Sequence, residues 1–129
     1  MLGYAMVGTN DLDRATEFYD AVLKTLDLMP VEQSGTYTAY APISANEAVE
    51  FYVTTPFDTR AASAGNGTMI ALQAPSLQTL GLFHQTGLQN GGIDEGAPGP
   101  REAGSNICYA YIRDLDGNKI CAYCNEMNV

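Results

Sequence analysis

The chain is short of positive charge. It has 6 Lys and Arg against 15 Asp and Glu, a net charge of -9 with its single histidine neutral. A surface this acidic repels phosphate backbones and anionic lipid, so nucleic acid and membrane surfaces are excluded as partners. Long apolar runs are missing, and no segment approaches the length of a membrane span. The opening MLGYAMVGTNDLD has no basic stretch leading into a long apolar one, so no secretory signal is read there. Three cysteines are an odd number and too few for a disulfide scaffold, which suits a reducing cytoplasm. The lone histidine, His84, falls in a helical stretch, where a partly exposed position is expected. It supports no Ser-His-Asp set.

What is present is ordinary globular material. The 129 residues are 46% hydrophobic and 16% charged, which fits one domain with a core that needs neither disulfide nor metal. In DLDRATEFYDAVLKTL, Leu12, Ala15, Phe18, Tyr19, Val22, Leu23 and Leu26 share one helical face, opposite Asp13, Arg14, Glu17, Asp20 and Lys24. Asn10 or Asp11 can cap its start. Gly3 to Gly8, Thr36 to Ala41 and Val49 to Thr54 read as strands. Residues 56–67 are small, polar and glycine-containing, and read as a linker. The order then repeats: a strand from Thr68 to Ala74, then a helix from a Ser76 cap to about Asn90, ended by Gly91-Gly92. GGIDEGAPGPREAGS reads as a loop. It lacks the flanking strand and helix that a dinucleotide-binding glycine motif needs. Ile107 to Arg113 and Asn118 to Cys124 close the chain as a hairpin turned at Asp114-Leu115-Asp116-Gly117.

Adding 65 to a position superimposes the halves. Leu12 falls on Leu77, Phe18 on Phe83, Leu23 on Leu88, Asp11 on Ser76 and Tyr4 on Met69. The pattern is one βαβββ unit used twice. Sheets of this kind each bury one face under a helix, and their other faces curl into a cup that can hold a ligand.

Three stretches carry a family resemblance. They are Asn10-Asp11-Leu12 with Ala15 and Phe18-Tyr19, Pro56-Phe57-Asp58 with Gly65-Asn66-Gly67-Thr68, and Tyr111 to Ile120 around Asp114-Leu115-Asp116-Gly117-Asn118. The chain resembles the vicinal oxygen chelate superfamily, which includes glyoxalase I, bleomycin-resistance proteins and extradiol dioxygenases. Leu115 stands where proline is usual in the family's last turn. The resemblance implies an α+β fold of two βαβββ modules forming a curled, cup-shaped mixed sheet. The whole chain would be one domain, with module one at about 1–55, the linker at about 56–67 and module two at about 68–129. It also implies a homodimer, because small members pair and shape their cups at the interface.

The family's metal is held by two histidines and a glutamate. Those positions fall here on Tyr4, Met69 and Cys121, and a fourth carboxylate slot falls on or near Glu50. A thioether and a thiolate suit soft ions such as Cu(I) rather than Ni, Mg or Mn. No metal and no cofactor are therefore expected, although the three residues should converge. In a strand, Cys121 and Cys124 point to opposite faces, so they are not a redox pair. Tyr109 and Tyr111 share one face, with Tyr111 opposite Cys121. Tyr37, Tyr40 and Tyr52 either line the first cup or pack within the sheet. Arg101, at the end of the long loop, is a candidate anchor for a ligand anion. The expected function is binding of an apolar or aromatic small molecule by Tyr4, Met69, Tyr109, Tyr111, Cys121 and Arg101. The alternative is a metal-dependent lyase, isomerase or dioxygenase with unusual ligands, in which Glu50 is the candidate base.

Overall fold

Two four-stranded mixed sheets carry the architecture, and the computed structural model describes them within residues 1–125. The first module runs β1 (Ala5–Gly8), α1 (Leu12–Lys24), β2 (Leu28–Gln33), β3 (Tyr37–Pro42) and β4 (Phe51–Thr54). The second runs β5 (Met69–Gln73), α2 (Leu77–Gln89), β6 (Ile93–Pro100), β7 (Ile107–Arg113) and β8 (Lys119–Asn125). Strand order is β1-β4-β3-β2 in one sheet and β5-β8-β7-β6 in the other. The parallel pairs are β1 with β4 and β5 with β8. This is the α+β pair of βαβββ modules expected from the sequence. The sheets curl without closing. The last residues assigned to module two, 126–129, lie outside the described residues.

The helices repeat with the spacing read from the sequence. Asp11 accepts a hydrogen bond from the Arg14 amide at 3.2 Å, and Ser76 accepts one from Thr79 at 3.1 Å. Each cap satisfies an N–H that the first helical turn leaves without a partner. Each helix packs on its own sheet, and the two helices touch. Phe18, Val22 and Leu23 of α1 therefore share one core with Leu80 and Phe83 of α2 and with Ile112 and Ile120 of the second sheet.

Two strands escape the sequence reading. β6 occupies the segment read as a loop, and β2 lies in the stretch around Pro30. Both are edge strands, where proline costs no interior ladder hydrogen bond. Both pair irregularly, with register breaks at Pro30/Glu32 in β2 and at Asp94/Gly96 and Gly96/Gly99 in β6. β6 also corrects the expected exposure of His84. The ring is buried between α2 and this strand, with Nε2 at 2.9 Å from Asp94 Oδ1. That contact holds the Asp94 carboxyl below its ordinary range, with a further contribution from the Gly96 amide. The other expected strands start later only by small margins, most at β1, which begins at Ala5, and β4, which begins at Phe51.

The Asp114–Asn118 turn ties the modules together. Asp114 Oδ1 accepts the amides of Asp116 and Asn118 at 2.9 and 2.8 Å, which closes the turn. Asn118 Nδ2 donates to Gly8 O at 2.9 Å, and Asp116 Oδ1 accepts the Asn10 amide at 2.8 Å. Gly117 sits at φ 89°, a left-handed conformation that an L side chain would strain.

Candidate ligand-binding face

Alternation along a strand sends successive side chains to opposite faces, so the core members identify the faces turned away from it. In β7, Cys108, Ala110 and Ile112 enter the core, and in β8 Ile120, Ala122 and Cys124 do. The other face of the second sheet thus presents Tyr109 and Tyr111 from β7, Cys121 and Tyr123 from β8, and Met69 and Gln73 from β5. Tyr111 pairs with Cys121 and Tyr109 with Tyr123 across the β7–β8 ladder. The Tyr109 and Tyr111 rings lie nearly parallel, with centroids 6.0 Å apart and an interplanar angle of 9°. Tyr123 lies 6.1 Å from Tyr109, and its hydroxyl accepts a hydrogen bond from Gln73 Nε2 at 3.1 Å.

Gly96 of β6 is opposite Tyr111, and a Cβ there would come within 2.8 Å of Tyr111 Cδ2. The glycine lets the edge strand pass close to the ring and holds it in place. At the end of the ladder the Lys119 ammonium lies 5.2 Å from the Tyr111 ring centroid. Arg113 pairs with Glu95 beside it.

Cys121 lies beneath these rings and is fully buried. Desolvation pushes its thiol up to about 11, against smaller opposing effects of Lys119, a backbone hydrogen bond at Ala110, and Arg101. It is therefore a protonated thiol at neutral pH, neither a nucleophile nor a thiolate ligand. Arg101 follows Pro100, the last residue of β6, which pairs with Cys108 of β7.

Tyr4 stands just before β1 of the first module. Its ring packs edge-on against Tyr52 at 4.9 Å, on the open face of the first sheet, and Tyr52 lies 5.6 Å from Tyr37. Tyr37 donates to Glu32 Oε1 at 2.7 Å. Met69 and Cys121 thus share the second sheet, while Tyr4 belongs to the first. Of the residues left between cup and core, Tyr37 and Tyr52 take the open face. Tyr40 is in the core, with its hydroxyl donating to Asp20 at 2.8 Å. Glu50 is exposed, and its backbone bridges Tyr40 O and the Ala5 amide. Its side chain borders a cleft of about 680 Å³ between the modules, together with Leu28, Pro42, Leu72, Gln73 and Tyr123.

The donor chemistry does not fit the metal that the fold family implies. The positions concerned offer a phenol on one sheet, and a thioether and a protonated thiol on the other. Hard or borderline divalent ions want imidazole and carboxylate. Among the described residues, no three His, Cys, Asp or Glu side chains gather into a ligand group.

Sequence reasoning passed over Tyr123, Lys119 and Gln73. The period of two would have found the first two, since both lie two residues from Cys121 in β8. Gln73 needs the parallel register, which pairs it with Tyr123.

No model of a protein family matches the chain, and no curated protein does. Solved structures do. The chain is similar to a glyoxalase/bleomycin resistance protein from Albidiferax ferrireducens, at 38% identity and TM-score 0.85, covering 97% of this chain and 98% of that one. A glyoxalase-related enzyme from Fulvimarina pelagi superimposes at TM-score 0.76 with 14% identity, over 98% of this chain and 88% of that one. A glyoxalase/bleomycin resistance protein/dioxygenase family enzyme from Burkholderia phytofirmans does so at TM-score 0.72 with 12% identity, over 95% and 97%. At these lower identities the likeness is one of fold.

Proposed function

The chain belongs to the glyoxalase/bleomycin resistance protein family, and from that premise we propose that it binds an aromatic or apolar small molecule on the open face of its second sheet, without a metal. The observation that carries this reading is the tyrosine ladder. Tyr109, Tyr111 and Tyr123 stand half-buried around a buried thiol, with their rings already ordered by mutual packing and by Gly96. Rigid aromatic rings offer contact area at a small entropy cost. Met69, 42% exposed at the edge, adds an adaptable thioether.

The groups on this face suit holding a ligand better than turning it over. The face has no imidazole, because His84 lies between α2 and β6 with Asp94. Its carboxylate, Glu95, is engaged by Arg113, and its thiol is protonated. Tyr4 at 55% and Met6 at 50% exposure leave the first sheet's open face apolar as well. Such faces suit covering by a second copy in a homodimer. A net charge of -9 and free cysteines suit a protein that works in the cytoplasm.

The test is a panel of aromatic small molecules scored by thermal stabilisation. It is run beside an activity screen with α-ketoaldehyde thiohemiacetals and catechols, with and without added metal. Stabilisation that is lost in Tyr109→Ala and Tyr123→Ala, without turnover, is the expected result. Turnover that disappears in Glu50→Gln would replace binding with catalysis.

A further inference from the structure

Ligand binding on the tyrosine face makes no use of the two thiols behind it. Cys108 and Cys124 face each other directly across the β7–β8 ladder, as Tyr109 faces Tyr123 beside them. Both side chains enter the core, with Cys108 4% and Cys124 3% exposed, so the two thiols lie on one face of the sheet. The third thiol, Cys121, is opposite Tyr111 and belongs to the other face. Cys108 and Cys124 are therefore the thiols in register with each other.

Directly opposed residues of an antiparallel ladder have Cα atoms about 4.5–5.5 Å apart. A disulfide spans roughly 4.4–6.8 Å between Cα atoms, so this register can be bridged without rearranging the backbone. Cys124 also borders the cleft of about 680 Å³ between the modules. At 3% exposure it is closed to bulky thiol reagents, but the cleft brings a molecule the size of hydrogen peroxide to its edge.

We propose that Cys108 and Cys124 are a reversible disulfide site, closed by hydrogen peroxide and opened by a small dithiol. Attack by the Cys124 sulfur breaks the O–O bond of the peroxide, leaving a sulfenic acid and releasing one water that carries the thiol proton. The Cys108 sulfur then attacks the sulfenic sulfur, the S–S bond forms, and the hydroxyl leaves with the Cys108 proton as a second water. Two thiols lose two electrons and two protons, and the peroxide takes both. Burial pushes the Cys124 thiol up, which makes this a site for sustained peroxide rather than a fast sensor. The bridge joins the two strands that carry Tyr109, Tyr111 and Tyr123, one step along the ladder from the Tyr109–Tyr123 pair.

The test uses the full chain, reduced and folded, incubated with hydrogen peroxide. The protein is then unfolded, free thiols are blocked with iodoacetamide, and the peptides are mapped by mass spectrometry. Expected is a chain lighter by two hydrogens, with Cys108 joined to Cys124 within one molecule and Cys121 alkylated. Dithiothreitol should restore three blockable thiols. Cys121→Ala should bridge as the parent does, and Cys108→Ala and Cys124→Ala should each lose the two-hydrogen change. A folded chain that keeps all three thiols, at a peroxide dose that oxidises the urea-unfolded chain, would overturn the proposal. So would a bridge through Cys121, a bridge between two molecules, or a sulfinic acid at Cys124 beside a free Cys108. Mapping of the parent chain decides each of these outcomes, so the result stands even where an alanine variant fails to fold.

Discussion

The Tyr19 phenol of α1 donates a hydrogen bond to the Asp114 carboxylate in the β7–β8 turn, joining the first module to the second inside the core. Asp114 is 4% exposed, and its oxygens also accept two backbone amides and the Asn118 side chain. Burial, followed by the Asp114 charge, holds the phenol well above its ordinary value, so it stays a donor. The turn that carries the family resemblance is thus a clamp between modules rather than part of a ligand site. Tyr19→Phe leaves a buried carboxylate oxygen short of a partner and should cost about 1–3 kcal/mol. Asp114→Ala, which removes every one of those bonds, should cost more. Urea unfolding of both variants measures this, and a Tyr19→Phe midpoint equal to that of the parent would show that the bond contributes nothing.

Two glycines of α2 should respond in opposite directions. A Cβ on Gly87 would meet Ile112 Cδ1 at 2.6 Å, whereas one on Gly81 meets nothing within 4 Å. Gly87→Ala must displace the buried Ile112 side chain or the helix and should destabilise by about 1–3 kcal/mol. Gly81→Ala removes only unfolded-chain freedom and should stabilise by about 0.5–1 kcal/mol. Thermal unfolding of the pair checks the helix–sheet contact, and equal signs would contradict it.

High pH should loosen the fold. The Cys121 thiol rises from its ordinary 9.0 to about 11 in the folded chain, and burial also lifts the Tyr19 and Tyr40 phenols above 10.0. A raised acid favours the folded state fully below its unfolded pKa. Above it the unfolded chain gives up protons that the folded chain keeps. Stability should therefore be level up to about pH 9, fall as pH rises towards 11 with the thiol, and fall further as the tyrosines follow. Melting temperatures taken along this range test the sign, and a flat profile would mean that these groups are not buried.

The three thiols should be silent in the native protein. Cys108, Cys121 and Cys124 are buried and free, and Cys121 is separated from Cys124 by the thickness of the sheet. A thiol-specific reagent at neutral pH should find none reacting quickly in folded protein and three after denaturation. A Cys121–Cys124 disulfide in native material would contradict the strand geometry.

Much of this was legible where a period was clean. The spacing of Leu12, Ala15, Phe18, Tyr19 and Val22 marked α1, and the repeat with its Ser76 cap placed the start of α2 at Leu77 and its end next to the expected Asn90. The alternation of Tyr109, Tyr111 and Cys121 fixed their shared face and their pairing. The edge strands were not legible. Pro30 in β2, and the Gly and Pro of β6, contradict the usual strand composition, and only their place at the sheet margin permits them. His84 then followed the fate of β6, because the strand that buries it was read as a loop. The relation of Tyr4 to Met69 was visible as a repeat. They occupy equivalent places on two different sheets.

Equivalence between the halves also has an electrostatic side. Ala5 pairs with Phe51 as Ile70 pairs with Ile120, so the residue before each partner, Glu50 in one half and Lys119 in the other, occupies the same station in the repeat. One station carries a carboxylate and its mate an ammonium. The two halves therefore differ in the sign of the charge at one repeated position, so the repeat is one of fold and not of surface chemistry.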